Sequence, residues 1–360
     1  MIFRNALLRE LAAAAAATFI VLLCIVVTMQ LVRLLGQAAG GAITSTGVVA
    51  LLGFSMLNYL PVLLSLTLFI AVLMTLTRSY RDSEMVVWFS SGVSLTQWIR
   101  PVLLFAVPLV LTIALLSLAL SPWAVSHSEE YRRKMDSRHD VTAVAPGVFR
   151  ESRQAERVYF VEEIAGADNL VANVFVSSTQ HGRQGVMVAA RGFQEVAANG
   201  DRFLVLMNGR RYEGEPGSTE YKVYEFGRYA MRIETAETQA PRAPTTKSVS
   251  TLELLRDPTS PHVAELSWRL GLPASALILA LLAIPLSFVN PRAGRSMNLM
   301  LALLIYMTYS NLLSITQASI AQSRIPPAMG LLGVHAVMLL ILLALFYRRL
   351  MVFSLFRILR

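Results

Sequence analysis

Six long apolar runs, near 11–32, 53–77, 101–122, 268–289, 297–318 and 329–347, decide what this chain can be. Crossing the hydrocarbon of a bilayer takes about 20 helical residues, and each run supplies roughly that length. In hydrocarbon a lone segment satisfies its own backbone groups only as a helix, so the runs predict six transmembrane helices. With 55% hydrophobic and 15% charged residues, the composition agrees. The first run is read as a span rather than a cleaved leader. It is long, no small-x-small site follows its core, and "LVRLLG" at 31–36 continues its apolar character.

Net charge is +9 and the isoelectric point is near 10, values that would also suit a nucleic-acid binder. The location of the charges excludes that class. Residues 123–265 hold 18 Lys and Arg against 20 Asp and Glu, while the remainder holds 14 against 3. Basicity therefore flanks the apolar runs instead of forming a reading surface. Counted over the short loops and chain ends only, Arg4, Arg9, Arg78, Arg81, Arg100, Arg292, Arg295, Arg348, Arg349, Arg357 and Arg360 fall on one side of the membrane, and Arg33 and Arg324 on the other. By the positive-inside rule both termini are cytoplasmic and the segment between the third and fourth runs lies outside. The single cysteine, Cys24, sits in an apolar run, which excludes intrachain disulfides and cysteine-based metal sites.

That external segment reads as β. "RVYFVEEIAG", "NVFVSST", "GVMVAARGF", "RFLVLMNG" and "YKVYEFGRYAMRI" are short, rich in Val, Phe and Tyr, and separated by turn formers. Asn199-Gly200 between two of them is a hairpin signal. A charged helical piece (123–140) leads in and "TQAPRAPTTKSVS" (238–250) leads back. The expected organisation is three spans in 1–122, an inserted all-β domain in 123–267, and three spans in 268–360.

Chemistry-bearing motifs are missing. There is no phosphate-binding G-x-x-x-x-G-K-[ST], no G-x-S-x-G and no H-E-x-x-H, so no catalytic residue, metal or cofactor is assigned. The central parts of the six runs carry no Asp, Glu, Lys or Arg, and His335 is their one ionisable candidate. A lone helical His is more often packed or hydrogen-bonded than a proton relay. A transporter built this way needs an energy source on another chain.

The stretch "LTRSYRDSEMVVWFSSGVS" (76–94) supplies a means of reaching one. At helical spacing Met85, Trp88 and Phe89 share a face, and Asp82 and Glu84 stand at the helix start among arginines. One reading is an interfacial helix with its Trp among headgroups. The other is a coupling helix near 82–94, whose acids meet a basic surface on a cytoplasmic ATPase. Acids are unfavourable beside anionic lipid, which favours the second.

These residues carry a resemblance. "LVRLLG", "LLMTLTRSYRDSEM", "GVS" at 92–94, "APGVF" and "AELSWRLGLPASALILALLAIPLSFVNPRAGR" at 264–295 resemble the lipopolysaccharide export permeases, the YjgP/YjgQ or LptF/LptG family. "LVRLLG" and "AELSWR" are most similar to its F-type members. The resemblance implies a six-helix inner-membrane subunit with a periplasmic β-jellyroll between the third and fourth helices. It also implies several partners: a paralogous permease subunit, a cytoplasmic ATPase dimer, a single-helix jellyroll protein and a periplasmic bridge protein. The implied cargo is lipopolysaccharide.

Within that frame Arg33 and Arg324 are candidate lipid-phosphate ligands, whose other reading is a cation snorkelling at a helix end. Asp82, Glu84, Met85, Trp88, Arg292 and Arg295 are candidates for coupling to the ATPase. Tyr306, Tyr309 and Leu313 are candidate lateral-gate positions, and their other reading is plain packing. Two competing classes remain. A membrane scaffold or signalling protein with an external β-domain would need no cytoplasmic knob. A lipid-modifying enzyme would need more than the scattered His127, Glu129 and His262.

Overall fold

The computed structural model describes residues 2–39, 43, 45–142, 150–152, 157–165, 170–180, 183–197, 202–214, 221–234, 244–288 and 295–358. They divide into two compact units, Met1–Arg133 with Pro244–Arg360, and Lys134–Ala243. The first is helical and the second holds the last turns of a long helix followed by a β-sheet, the class expected from the sequence.

In the helical unit, α1 spans Ile2–Ala39, α2 Ser45–Arg81 and α3 Glu84–Ser90. Helix α4 (Ile99–Leu115) continues through a π-helical turn at Leu116–Leu120 into α5 (Ser121–Thr142). After the β unit come α6 (Thr251–Arg256), α7 (Ser260–Leu286), α8 (Arg295–Ala321) and α9 (Pro327–Ile358). Helix α7 is central and packs on α2, α4, α8 and α9. Its buried face carries Gly271, Ser275, Ala276, Ala280 and Ala283, small residues that let neighbouring backbones approach without a hydrophobic driving force.

Among the described residues, five helical stretches are long and apolar enough to cross a membrane: Asn5–Ala39, Thr46–Arg81, Leu95–Lys134, Ser260–Leu286 and Pro327–Leu350. The expected span at 297–318 forms α8, whose 27 residues are also long enough. It is less apolar because Thr308, Ser310, Asn311, Ser314, Thr316 and Gln317 interrupt it.

The β unit is one six-stranded antiparallel sheet in sequential order. Its strands are β1 (Arg150–Ser152), β2 (Arg157–Ala165), β3 (Leu170–Gln180), β4 (Arg183–Val196), β5 (Arg202–Gly214) and β6 (Tyr221–Glu234). Asn199-Gly200 lies outside the described residues, but the strands it separates pair from Val196↔Arg202 outward.

On five strands pairing lapses along a single row, at Glu162, Asn173, Ala190, Asn208 and Gly227, and β6 has a further bulge at Ile233. Asn173 (φ 50°) and Asn208 (φ 52°) are left-handed there, a conformation that Asn tolerates better than most residues. Crossing the row reverses which side chains face inward. On β3, Val171 is buried on one side of the row, and Val174 and Val176 are buried on the other. On β4, Met187 and Ala189 give way to Gly192. The row is therefore a crease, and one side of the sheet stays apolar across it. Room inside the crease is short: a Cβ on Gly209 would stand 2.5 Å from Val188 O and 2.6 Å from the Phe226 ring. Arg211 donates to the Tyr229 hydroxyl at 2.9 Å on the inner side.

Candidate functional site

The stretch between α2 and α4 folds as a tight elbow. Asp82 N–H donates to Arg78 O (2.9 Å), and Ser83 adopts φ 60° to turn the chain into α3. At the far end Gly92 N–H donates to Phe89 O (3.1 Å) and Val93 N–H to Trp88 O (3.0 Å). That is a Schellman closure, and Gly92 at φ 86° takes its left-handed position. The "GVS" at 92–94 thus stops the helix after seven residues.

Met85 is 1% exposed, and Trp88 and Phe89 also pack on the core of the helical unit. These three anchor α3 to its own chain. Val86 and Val87, each 66% exposed, are the apolar residues that α3 presents outward. A second cluster braces the elbow: Tyr80 meets Phe89 and, edge-on at 5.5 Å, Phe288, while the Arg349 guanidinium lies 3.9 Å from the Phe288 ring centre. Helices α2, α3 and α9 and the end of α7 are joined there by aromatic and cation–π contact.

Both acids of the elbow lie within reach of Arg78, and Asp82 also accepts from Arg81 Nε at 3.4 Å. Arg78 Nη2 donates to Glu10 Oε1 and Oε2, both at 2.7 Å, and reaches Glu84 Oε1 at 3.4 Å. Its Nη1 lies 3.8 Å from Asp82 Oδ2. Glu84 therefore has an intrachain cation beside it, though the closer contact belongs to Glu10. The groups are about two-fifths exposed, so each pair adds little stability, on the order of 0.5 kcal/mol. Of the other coupling candidates, Arg292 lies outside the described residues, and so does the Arg295 side chain at the start of α8.

Arg33 and Arg324 are both exposed. Arg324 follows α8, where Ser323 (φ 56°) and the Arg324 N–H to Ser319 O bond (2.9 Å) close the helix. Ser323 Oγ lies 2.7 Å from Ser260 Oγ at the start of α7. Tyr306, Tyr309 and Leu313 face the interior of the helical unit. Tyr306 donates to Val62 O at 3.2 Å, and the Tyr309 hydroxyl meets His335 Nδ1, giving His335 a hydrogen-bonded place in the packing. The opposite face of α8 exposes Leu304, Met307 and Ile315.

One constellation escaped the sequence reading. Arg269, 2% exposed, donates from Nε to Glu265 Oε1 (3.0 Å) and from Nη1 to Thr251 Oγ1 (2.8 Å). Its Nη2 reaches the carbonyls of Lys247 (3.1 Å) and Val249 (3.0 Å). Glu265 Oε2 accepts from Gln317 on α8 at 3.0 Å. Ser117, in the π turn, donates to Arg269 O (2.9 Å), and Thr251 donates to the neighbouring Leu118 carbonyl. Pro273, four residues on, has no N–H for Arg269 O, which leaves that carbonyl free for Ser117. The signal was available: Glu and Arg four apart in "AELSWR" at the start of an apolar run.

Among the described residues no group of three or more His, Cys, Asp or Glu is placed to hold a metal. What the geometry offers is a braced elbow, a polar knot among the helices and a creased apolar sheet. The profile of the family described as "Lipopolysaccharide export system permease LptF/LptG" matches residues 5–348. Lipopolysaccharide export system permease protein LptF of Escherichia coli K12 is 27% identical over 342 residues, covering 94% of this chain and 93% of its own length. The Shigella flexneri protein of the same name matches to the same degree. The helical unit with its inserted β-sheet and a profile match over nearly the whole chain lead to one conclusion: the chain belongs to the LptF/LptG family of lipopolysaccharide export permeases.

Proposed function

We propose that this chain is the F-type permease subunit of an ATP-driven exporter. It takes lipopolysaccharide from the outer leaflet of the inner membrane and passes it to a periplasmic bridge. Its partners in this reading are a paralogous permease subunit, a cytoplasmic ATPase dimer, and a single-helix jellyroll protein that receives the lipid. ATP hydrolysis belongs to the ATPase and lipid handling to the permease pair.

The observation that carries this reading is the elbow. A seven-residue helix capped at Gly92, bearing Glu84 at its first turn and exposing Val86 and Val87, has the size and chemistry of a knob for a basic-rimmed groove. At the other membrane face, exposed Arg33 supplies a guanidinium fork suited to a lipid A phosphate. The exposed apolar faces of α1 and α8 suit contact with lipid or with the paralogous subunit. A membrane scaffold has no use for the acid-bearing elbow.

The test is reconstitution of the chain with its paralogous subunit and ATPase in nanodiscs containing lipopolysaccharide. Lipid-stimulated ATP hydrolysis and lipid transfer to the bridge protein are the expected results. Glu84→Ala should lower both, and Glu84→Arg should lower them further because repulsion is added to loss. Stable assembly with full transfer in both variants would overturn the elbow's assigned role. Absence of ATPase association with the unaltered chain would overturn the transporter reading itself.

A further inference from the structure

Outside residues 123–265 the chain has only three acids, Glu10, Asp82 and Glu84, against 14 basic side chains. All three have Arg78 within ion-pair reach, although Asp82 lies closer to Arg81, whose Nε donates to its Oδ1 at 3.4 Å. Two of them belong to the elbow. The third, Glu10, stands on α1, 68 positions from Arg78 in sequence, and makes the closest contact of the set. Elbow packing by itself does not call for an acid on α1.

We propose that Glu10 is a positioning residue for Glu84: by occupying Arg78, it keeps the Glu84 carboxylate available to a basic side chain of the ATPase. The proposal rests on the reading of 82–94 as the docking elbow. Arg78 is a built-in competitor for Glu84, because its Nη2 stands 3.4 Å from Oε1 of that carboxylate. Both Glu10 oxygens hold the same Nη2 at 2.7 Å and draw it away from a closer pair with Glu84. Without the Glu10 charge, Arg78 closes on Glu84, and a partner's cation must displace it.

The arrangement also ties docking to helix α1. Glu10 and Arg33 lie 23 residues apart on that helix, about 35 Å at its rise of 1.5 Å per residue. A tilt of α1 that draws Glu10 off Arg78 releases Arg78 to Glu84 and weakens docking. By linkage, docking favours the α1 position in which Glu10 holds Arg78.

The experiment titrates the purified ATPase dimer against the full chain with its paralogous subunit in nanodiscs and reads the dissociation constant. Glu10→Gln should weaken docking about fivefold, the scale of a half-exposed charge contact. Glu10→Asp should retain most of the affinity. The double variant Glu10→Gln/Arg78→Gln should return to within about twofold of the unaltered chain, because the competitor is gone with its restraint. A merely structural role for the Glu10–Arg78 pair predicts the opposite, a double variant no tighter than Glu10→Gln, and that result overturns the proposal. So does an unchanged affinity in Glu10→Gln while Glu84→Ala weakens docking, which leaves the docking elbow standing. If Glu84→Ala itself has no effect, the elbow reading fails and this inference fails with it.

Discussion

Arg269 and Glu265 form an ion pair four residues apart on α7, at 3.0 Å, with side chains 2% and 6% exposed. Burial of both charges is tolerable only because the remaining hydrogen-bonding positions are filled. Thr251 and the carbonyls of Lys247 and Val249 complete the guanidinium, and Gln317 completes the carboxylate. The knot holds the segment entering from Pro244 against α7, α8 and the π turn after α4.

Removing one partner strands the other's charge. Arg269→Met is expected to cost about 3–5 kcal/mol, read as a lower unfolding temperature in detergent and reduced accumulation in the membrane. Glu265→Gln/Arg269→Met, which removes both charges, should recover much of that loss. A single variant as stable as the unaltered chain would contradict the buried-pair account.

The creased sheet makes a second set of demands. Asn208→Val places a β-branched residue in a left-handed position and should destabilise the β unit by about 1–2 kcal/mol, whereas Asn208→Gly should be close to neutral. Gly209→Val should be worse than either, since its Cβ meets Val188 O and the Phe226 ring. Gly227→Ala, with nothing within 4 Å of a Cβ, should be tolerated. Hydrogen exchange of β4 to β6 in the full chain reads all four. Equal protection in Gly209→Val and Gly227→Ala would rule out the packing argument.

Residues in this sheet show how far sequence pattern carries. "NVFVSST" and "GVMVAARGF" were legible as strands because they are short, apolar and bounded by turn formers. The crease was not, because a left-handed residue shifts the alternation by one and the apolar pattern then looks merely blurred. Met85 and Trp88 were legible as one helix face, but not which surface that face meets; it packs on the chain's own core. Tyr306 and Tyr309 repeat the lesson, since period gives a face and only packing gives its partner. Arg269 was passed over because the apolar run begins at Trp268 and the arginine looked like its edge.

Topology is independently checkable. Reporter fusions after Ala39, Arg81, Gly182, Arg292 and Arg360 should read outside, inside, outside, inside and inside, from the eleven-to-two arginine asymmetry. The 27 residues of α8 must cross the membrane for the last two readings to agree with an odd number of spans after the β unit. A cytoplasmic signal at Gly182 would put the β-sheet on the wrong side for handing lipid to a periplasmic carrier.

Arg33 separates the two readings of an exposed cation at a helix end. It stands near the end of α1 among exposed Met29, Val32 and Leu35, a setting that suits snorkelling as well as lipid recognition. A snorkelling arginine makes no phosphate contact, so Arg33→Lys and Arg33→Gln should leave lipid occupancy unchanged. A phosphate ligand behaves otherwise. Lysine keeps the charge but loses the planar fork, and Arg33→Lys should then lower lipopolysaccharide co-purification only modestly. Arg33→Glu reverses the charge against the phosphate and should weaken binding by about 2 kcal/mol or more, on the order of thirtyfold. Arg324→Glu, at the end of α8, provides a matched reversal at the other exposed cation. Lipid retained per permease pair, measured by mass spectrometry after mild-detergent purification, orders the variants. Graded loss from Lys to Gln to Glu at Arg33, with assembly intact, identifies a phosphate contact, and a flat series returns Arg33 to snorkelling.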